Sequence, residues 1–193
     1  MRQDAASEAL ADLKAGNLRF CAGHAEGPRR DAERRRAVAA KQSPKAAVLT
    51  CSDSRVVPEL LFDQGIGDLF VVRTAGHVLD RGAVGSLEYA LEHLQIPLVL
   101  ILGHSCCGAV TSAVAGRPGP GSIDWVMNAI RPSVWATVSA QGDAVENAAR
   151  EHARRTSSDI ARMSALLHEA VERRRLSIVS AYYDLASGSV EFL

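Results

Sequence analysis

The sequence has no excess of charge of either sign. Its 193 residues contain 22 Lys and Arg against 22 Asp and Glu, so the formal net charge at pH 7 is zero. A chain with this balance lacks the overall attraction that draws proteins to nucleic acids or to anionic membrane surfaces. Its one basic stretch, residues 28–41, is interrupted by acidic residues and is therefore interpreted as a solvated surface helix. We expect no nucleic-acid partner.

Long apolar segments, a secretory leader and a disulfide framework are also missing. The strongly apolar run at 96–102 is far shorter than the roughly 20 residues that cross a bilayer. The first ten residues lack the order of charged, apolar and small residues that marks a signal peptide. The four cysteines, two of them adjacent, suit metal binding or catalysis better than disulfides. These absences predict a cytoplasmic protein without a membrane partner.

The apolar residues that are present predict a parallel sheet. Three short runs, at 46–50, 69–72 and 97–102, each end at polar or glycine-containing groups, as strands buried on both faces do. An amphipathic helix is predicted over 82–95, between the second and third runs. Strand, helix and strand in this order favour right-handed parallel crossovers.

The C-terminal part predicts a long helix over 143–174, a strand over 176–182 and a hairpin partner at 190–193. One stripe of the long helix is predicted to be buried, and it consists of Ile160, Met163, Leu167 and Ala170. With 47% hydrophobic residues, the chain has enough apolar material for one domain of ordinary size.

The predicted fold is therefore a single α/β domain over 1–193 with a mainly parallel central sheet flanked by helices. Residues 1–41 are expected to form an N-terminal helical arm, because residues 5–20 carry apolar positions at helical spacing. This arm is expected to pack on a neighbouring subunit. Residues 42–193 are expected to form the α/β core.

Candidate metal ligands follow two of the predicted strands. Open parallel sheets bind ligands at the carboxyl ends of their strands, where Cys51 follows the first strand and His104 and Cys107 follow the third. Two thiolates and one imidazole form a zinc ligand set that leaves a fourth tetrahedral position for water or another ligand. Taken alone, each of these residues is interpreted as an ordinary residue of the hydrophobic core. Because all three converge on one edge of the sheet, a metal site is favoured.

A carboxylate and a guanidinium lie close to this set. Asp53 and Arg55 follow Cys51 by two and four residues. A carboxylate beside a metal-bound water accepts its proton, and an arginine holds the carboxylate by a bidentate pair. Alternatively, Asp53 turns to the metal as its fourth ligand and closes the site. Gly108 allows the backbone to approach a ligand closely.

Five motifs occur in order along the chain: G-N-L-R-F at 16–20, C-S-D-S-R at 51–55, R-T-A-G at 73–76, G-S-L-E-Y-A at 85–90 and G-H-S-C-C-G-A at 103–109. With these motifs the sequence resembles the β-class carbonic anhydrases over nearly its whole length. The resemblance implies one Zn²⁺ per chain, held by Cys51, His104 and Cys107. It implies that Asp53 and Arg55 form a catalytic dyad.

The same resemblance implies an activity and an assembly. The activity is reversible hydration of carbon dioxide to bicarbonate and a proton, by attack of a zinc-bound hydroxide on the carbon of CO₂. The assembly is a homodimer or a tetramer built from dimers. Gln42 matches the family's glutamine that donates a hydrogen bond to substrate, often across a dimer interface. The N–H of Gly108 is a further candidate for orienting the substrate oxygens.

Several positions depart from the family pattern. His77 stands where many relatives carry asparagine and is interpreted as a hydrogen-bonded histidine at a strand end, with a proton relay as the alternative. Cys106 is interpreted as a small packing residue. Val48 replaces a tryptophan of a bicarbonate pocket that Arg73 would join, so regulation by bicarbonate at that pocket is not expected.

Other residues and functions are left with alternatives. Tyr89, Phe62 and Ile66 are candidates for an apolar CO₂ pocket, and the two tryptophans are expected to be core or interface anchors. A second enzymatic hypothesis keeps the zinc site but hydrolyses carbonyl sulfide or carbon disulfide. A third is a zinc-bound interaction protein without catalysis. No proton shuttle group is identified.

Overall fold

Buried aliphatic strands organise the structure, a computed structural model that describes residues 2–193, with side chains described from residue 4 onward. The strands found in this part of the chain are β1 (Ala46–Cys51), β2 (Leu69–Thr74), β3 (Leu98–His104), β4 (Ser177–Tyr183) and β5 (Val190–Phe192). They form one sheet in the order β2-β1-β3-β4-β5. The first four are parallel, and β5 pairs with β4 as an antiparallel hairpin.

Helices cover both faces of this sheet. The α-helices of the described chain are α1 (Arg2–Cys21), α2 (Ala32–Ala37), α3 (Pro58–Leu61), α4 (Arg81–Leu94), α5 (Gly108–Val114), α6 (Ser122–Ala136), α7 (Ala144–Met163) and α8 (Ala165–Glu172). A short 3₁₀ turn, Ala75–His77, follows β2. The predicted fold class, a single α/β domain with a mainly parallel sheet, is confirmed.

Neighbouring residues of the central strands build two separate cores. Every residue of β1 and β3 is buried, as expected of parallel strands covered on both faces. Leu49 packs with Leu87 of α4 in one core, while Val48 packs with Leu13 of α1 in the other. Successive side chains of a strand point to opposite faces, so a one-residue slip of β1 would exchange the two cores.

The helix predicted over 82–95 is confirmed as α4. Asp80 caps it by accepting a hydrogen bond from the backbone N–H of Ala83 at 2.7 Å. The basic stretch at 28–41 forms a shorter helix than predicted, α2, none of whose residues is buried. Part of its positive charge is neutralised within the chain, because Arg29 and Arg34 form ion pairs with Asp68.

The prediction of a single long helix over 143–174 is wrong. It is divided at Ser164, whose extended backbone (φ −134°, ψ 115°) ends α7 and whose hydroxyl caps α8 by accepting from the N–H of Leu167. The same hydroxyl donates to Glu88 of α4 at 2.6 Å. Met163, placed in the buried stripe by the sequence, is 50% exposed because the helix ends there.

The N-terminal helix packs on its own chain. Gly16 permits this contact, since a Cβ there would lie 1.8 Å from the carbonyl oxygen of Phe62. The Asn17 amide donates to the carbonyls of Leu61 and Gly188, at 3.0 and 2.9 Å. The first motif, G-N-L-R-F, is therefore a docking motif within the subunit. Of its residues, Leu18 is 71% exposed and lies on the face that α1 leaves free within this chain.

The two tryptophans of the chain lie at its surface. Trp125 and Trp135 of α6 are 51% and 68% exposed, so the core interpretation of these residues is wrong. Among the helices that the structure describes, none combines the length and apolarity needed to cross a membrane.

A buried carboxylate fastens the segment after α1. Asp63 has no exposed side-chain surface and accepts from Arg19 Nε at 2.7 Å and from the amides of Glu26 and Gly27 at 3.1 and 2.8 Å. Burial alone raises the pKa of Asp63, but the hydrogen bonds from Arg19 and the two amides outweigh it and lower the pKa below 3.8. The ionised form is therefore the one that stabilises the fold.

We expect Asp63→Asn to lower the free energy of unfolding by about 2 kcal/mol at neutral pH, because hydrogen bonds to a charged group are lost. A lowered folded-state pKa gives stability that is present above 3.8 and is lost as pH falls through the folded-state value. The difference from wild type should therefore shrink below pH 3.8. Denaturant unfolding at fixed chain concentration and zinc content measures it. Glu33→Gln, an exposed carboxylate of α2, is the control, and an equal loss there would refute the special role of Asp63.

Candidate metal centre

Two adjacent parallel strands bring the predicted ligands together. Cys51 is the last residue of β1 and His104 the last residue of β3, and the register that pairs Thr50 with Leu102 makes both strands end at one edge. Cys107 follows as the N-cap residue of α5. Residues distant in sequence therefore meet at the carboxyl edge of the sheet, as predicted.

The three ligand atoms form a compact buried set. The sulfur atoms of Cys51 and Cys107 lie 4.0 Å apart. A donor nitrogen of His104 completes the group, and all three ligand atoms lie within 4.8 Å of one another. All three residues are buried, with 6%, 0% and 1% exposure for Cys51, His104 and Cys107.

The hydrogen bonds of His104 determine which nitrogen is available. Its Nδ1 lies 2.9 Å from the carbonyl oxygen of Ser105, which only accepts, so Nδ1 carries the proton. Its Nε2 therefore presents a lone pair, and this buried atom has no hydrogen-bond partner in the described part of the chain. A buried nitrogen without a partner is costly in an apo protein and is the state expected of a metal ligand. The donor set fits zinc.

The two cysteines are strongly coupled. The hydrogen bond from Cys107 holds the pKa of the Cys51 thiol well below its usual value, while the neighbouring Cys51 sulfur and burial raise the pKa of Cys107. The N–H of Gly76 adds a hydrogen bond to the Cys51 sulfur at 3.2 Å. A divalent metal held by both sulfurs would require both thiols to be deprotonated.

Asp53 is paired with Arg55 rather than joined to the ligand set. Arg55 Nε donates to Oδ1 at 2.9 Å and Nη2 donates to Oδ2 at 2.7 Å, and the Arg55 backbone N–H donates to Oδ1 at 3.0 Å. This bidentate pair holds the pKa of Asp53 well below its usual range. The structure therefore shows the arrangement in which Asp53 is paired with Arg55, with three candidate ligands left to the metal.

The two predicted substrate-binding residues lie at opposite edges of the sheet. Gly108 begins α5 directly after Cys107, and the space beside its Cα is open. Gln42 is exposed and precedes the start of β1, in a cavity of about 470 Å³ that Tyr89 also lines. Since a strand rises about 3.3 Å per residue, β1 separates Gln42 from Cys51 by more than ~15 Å. Within one chain, Gln42 does not reach the metal centre.

Comparisons with known proteins identify the family of the chain. The model of the carbonic anhydrase family matches residues 46–190. The carbonic anhydrase of Mycolicibacterium smegmatis is 39% identical over 183 residues, 93% of this chain and 89% of that protein. A β-carbonic anhydrase structure from Aspergillus fumigatus has a TM-score of 0.78 at 25% identity, covering 97% of this chain and 89% of that one. The chain belongs to the β-class carbonic anhydrases.

Further relatives extend the match. Carbonic anhydrase 2 of Mycobacterium tuberculosis is 40% identical over 181 residues, 91% of this chain and 87% of that protein. A Coccomyxa β-carbonic anhydrase, solved in complex with acetazolamide, has a TM-score of 0.76 at 27% identity over 82% of this chain and 75% of that one. The chain is thus a carbonate dehydratase, a lyase that interconverts carbon dioxide and bicarbonate.

Sequence reasoning assigned Arg73 only to a bicarbonate pocket at which this carbonic anhydrase has Val48 in place of a tryptophan. In the structure, Arg73 Nη2 donates to the carbonyl of Asp53 at 2.5 Å and its Nε donates to the carbonyl of Cys51 at 3.1 Å. Arg73 therefore holds the segment that carries both a metal ligand and the paired carboxylate. The pairing of Thr50 with Arg73 across β1 and β2 places it there, and no motif spacing reveals that contact.

Two other sequence interpretations are wrong. Cys106, interpreted as a packing residue, is exposed and has a positive φ of 53°. His77, interpreted as hydrogen-bonded, is buried, and neither of its ring nitrogens has a hydrogen-bond partner among the described residues. Of the proposed CO₂-pocket residues, Phe62 is core, while Tyr89 and Ile66 are 48% and 38% exposed.

The purified enzyme is expected to hold about one zinc per chain, in keeping with a three-ligand site. Cys107→Ala should lose most of this zinc on dialysis against a chelator, because the exposed Cys106 is not part of the compact group of ligand atoms. Metal analysis of both proteins measures the loss, and Cys106→Ala is the matched control that should keep its zinc. Full zinc retention in Cys107→Ala, with loss in Cys106→Ala, would show that the wrong cysteine has been assigned.

Proposed function

We propose that this carbonic anhydrase hydrates carbon dioxide at a zinc ion held by Cys51, His104 and Cys107, with Asp53 and Arg55 acting beside it. The observation that carries the proposal is the unpartnered Nε2 of a buried imidazole, which faces two coupled sulfurs next to an ion-paired carboxylate. Zinc, when bound, lowers the pKa of a water and so supplies the nucleophile for CO₂.

Side chains of the protein itself fix the orientation of the Asp53 carboxylate. Both oxygens of Asp53 are held by Arg55, so the carboxylate has a set position from which its remaining lone pairs accept a hydrogen bond. Arg55 in turn donates to the carbonyl of Cys106 at 3.4 Å, which ties the pair to the loop carrying Cys107. A cavity of about 690 Å³ opens beside Arg55 and Cys106. The backbone N–H of Gly108 is proposed to donate a hydrogen bond to the substrate oxygens.

Gln42 is proposed to act on the metal centre of a second copy of the chain. Its position at the opposite edge of the sheet excludes a contact within its own subunit, as argued above. The exposed Leu18, Trp125 and Trp135 provide apolar surface for such an assembly, a homodimer or a tetramer of dimers. Packing of the N-terminal arm over 1–41 on a neighbouring subunit and a cytoplasmic location stay predictions.

Asp53→Asn should reduce stopped-flow CO₂ hydration by about 100-fold or more, as expected when a proton-handling group is lost, while zinc content stays at one per chain. Arg55→Lys should also lose activity, because lysine does not form the bidentate pair. Arg174→Lys, near the opposite edge of the sheet, is the control. Wild-type hydration rates in Asp53→Asn would refute the role of the dyad. Zinc-loaded wild type that hydrolyses carbonyl sulfide but does not hydrate CO₂ would favour the hydrolase alternative.

A mixed dimer tests the shared site. In a purified heterodimer of Gln42→Ala and Asp53→Ala chains, a site shared between subunits leaves one centre with both residues intact and one with neither. We expect about half of the wild-type hydration activity, although each homodimer is impaired. If Gln42 instead acted within its own subunit, both centres would carry a defect and the heterodimer would be as inactive as the homodimers. Sedimentation confirms the assembly in each sample.

A further inference from the structure

Two buried side chains, His152 and Ser133, are connected to the Cys51 sulfur through Gly76. Neither has a role in the proposed reaction. The carbonyl of Gly76, whose N–H donates to this sulfur, is 3.0 Å from Nε2 of His152 in α7. The Nδ1 of His152 lies 3.3 Å from the hydroxyl of Ser133 in α6. His152 and Ser133 are 5% and 0% exposed, so the arrangement is shielded from solvent. It connects two helices to the metal centre.

The partners determine the direction of each hydrogen bond. A carbonyl oxygen only accepts, so Nε2 of His152 carries the proton and donates to Gly76. Nδ1 is then an acceptor, and the Ser133 hydroxyl donates to it. Burial lowers the pKa of His152 to about 4, which keeps the imidazole neutral at neutral pH. Ser133 thereby selects the tautomer that holds Gly76.

The Gly76 backbone has a conformation that requires such support. Gly76 and His77 have positive φ angles of 61° and 45°, and the second is uncommon for a residue with a side chain. A Cβ on Gly76 would lie 2.7 Å from Ile130 Cδ1, so the turn is also pressed against α6. The His77 ring lies against His152, with ring centroids 4.5 Å apart and ring planes tilted by 38°, but it forms no hydrogen bond within the described chain. His152 therefore supplies the hydrogen bond that holds this turn from the core side.

We propose that His152 is a positioning residue of the metal centre. It holds the Gly76 carbonyl so that the Gly76 N–H faces the Cys51 sulfur, and this contact orients the sulfur toward the metal. The inference rests on the zinc centre of the proposed function. An N–H···S hydrogen bond also withdraws charge from the sulfur. Loss of a partner that orients a ligand typically weakens metal affinity by about 10- to 100-fold.

Three variants separate positioning from packing. His152→Leu removes the donor but keeps an apolar side chain of similar reach, and His152→Gln restores an N–H directed at the same carbonyl. Ile160→Val, further along α7 in the core that contains Leu49 and Leu87, controls for a general loss of helix packing. The measurements are the rate of zinc transfer to a chromogenic chelator and the thiolate-to-metal absorption band of the cobalt-substituted protein. Neither depends on hydration activity.

We expect His152→Leu to release zinc about tenfold or more faster than wild type and to shift the cobalt band. His152→Gln should restore both, and Ile160→Val should change neither. Unchanged release and an unchanged band in His152→Leu would overturn the inference, as would failure of glutamine to restore them. If His152→Leu does not fold, Ser133→Ala decides: slower release than in wild type, or equal release, contradicts the role of His152, and faster release supports it. Wild-type protein that holds no zinc would instead refute the proposed function.

Discussion

The parallel hydrogen bonding of β1 to β3 is the constraint on which the metal centre depends. Its register makes both strands end at the same edge, where Cys51 and His104 become neighbours. Because every residue of both strands is buried, a change of register would move apolar side chains to the wrong face along the whole pair. The same aliphatic packing that stabilises the sheet therefore also sets the separation of two metal ligands.

Charge at the centre is balanced by groups of several kinds. The sulfurs are approached by backbone N–H groups, Gly76 at Cys51 and the first turn of α5 at Cys107. Arg55 neutralises Asp53, and Arg73 holds the carbonyls on either side of Ser52. Such a site tolerates a buried thiolate, which alone would be costly to desolvate. A divalent metal completes the balance, and this is the physical reason that the ligand set fits zinc.

Local spacing was enough to predict the strands, α4 and the meeting of Cys51, His104 and Cys107 at one edge of the sheet. Short buried runs that end at Cys51 and His104 identify the edge at which a parallel sheet binds ligands. Asp53 and Arg55 are close enough in sequence for their pairing to follow from the same motif. The role of Gly16 is different: its motif is recognisable, but only the packed structure shows the carbonyl of Phe62 against its Cα.

What the sequence did not predict depends on contacts between distant segments. The break at Ser164 follows from a serine cap and a bond to Glu88, and helical periodicity alone continues through both. His152 and Ser133 have no local pattern that relates them to Gly76, since three separate elements bring them together. Gln42 precedes the start of β1 and Cys51 ends it, so the proposed role of Gln42 requires a second copy of the chain.

X-ray absorption at the zinc edge of the purified enzyme tests the central claim most directly. We expect the coordination shell of the zinc ion to contain two sulfurs at about 2.3 Å and two lighter atoms at about 2.0 Å, one of them an imidazole nitrogen. The two sulfurs are those of Cys51 and Cys107, and the second light atom occupies the open fourth position. A shell with three sulfurs, or with nitrogen and oxygen alone, would contradict the assignment of the centre.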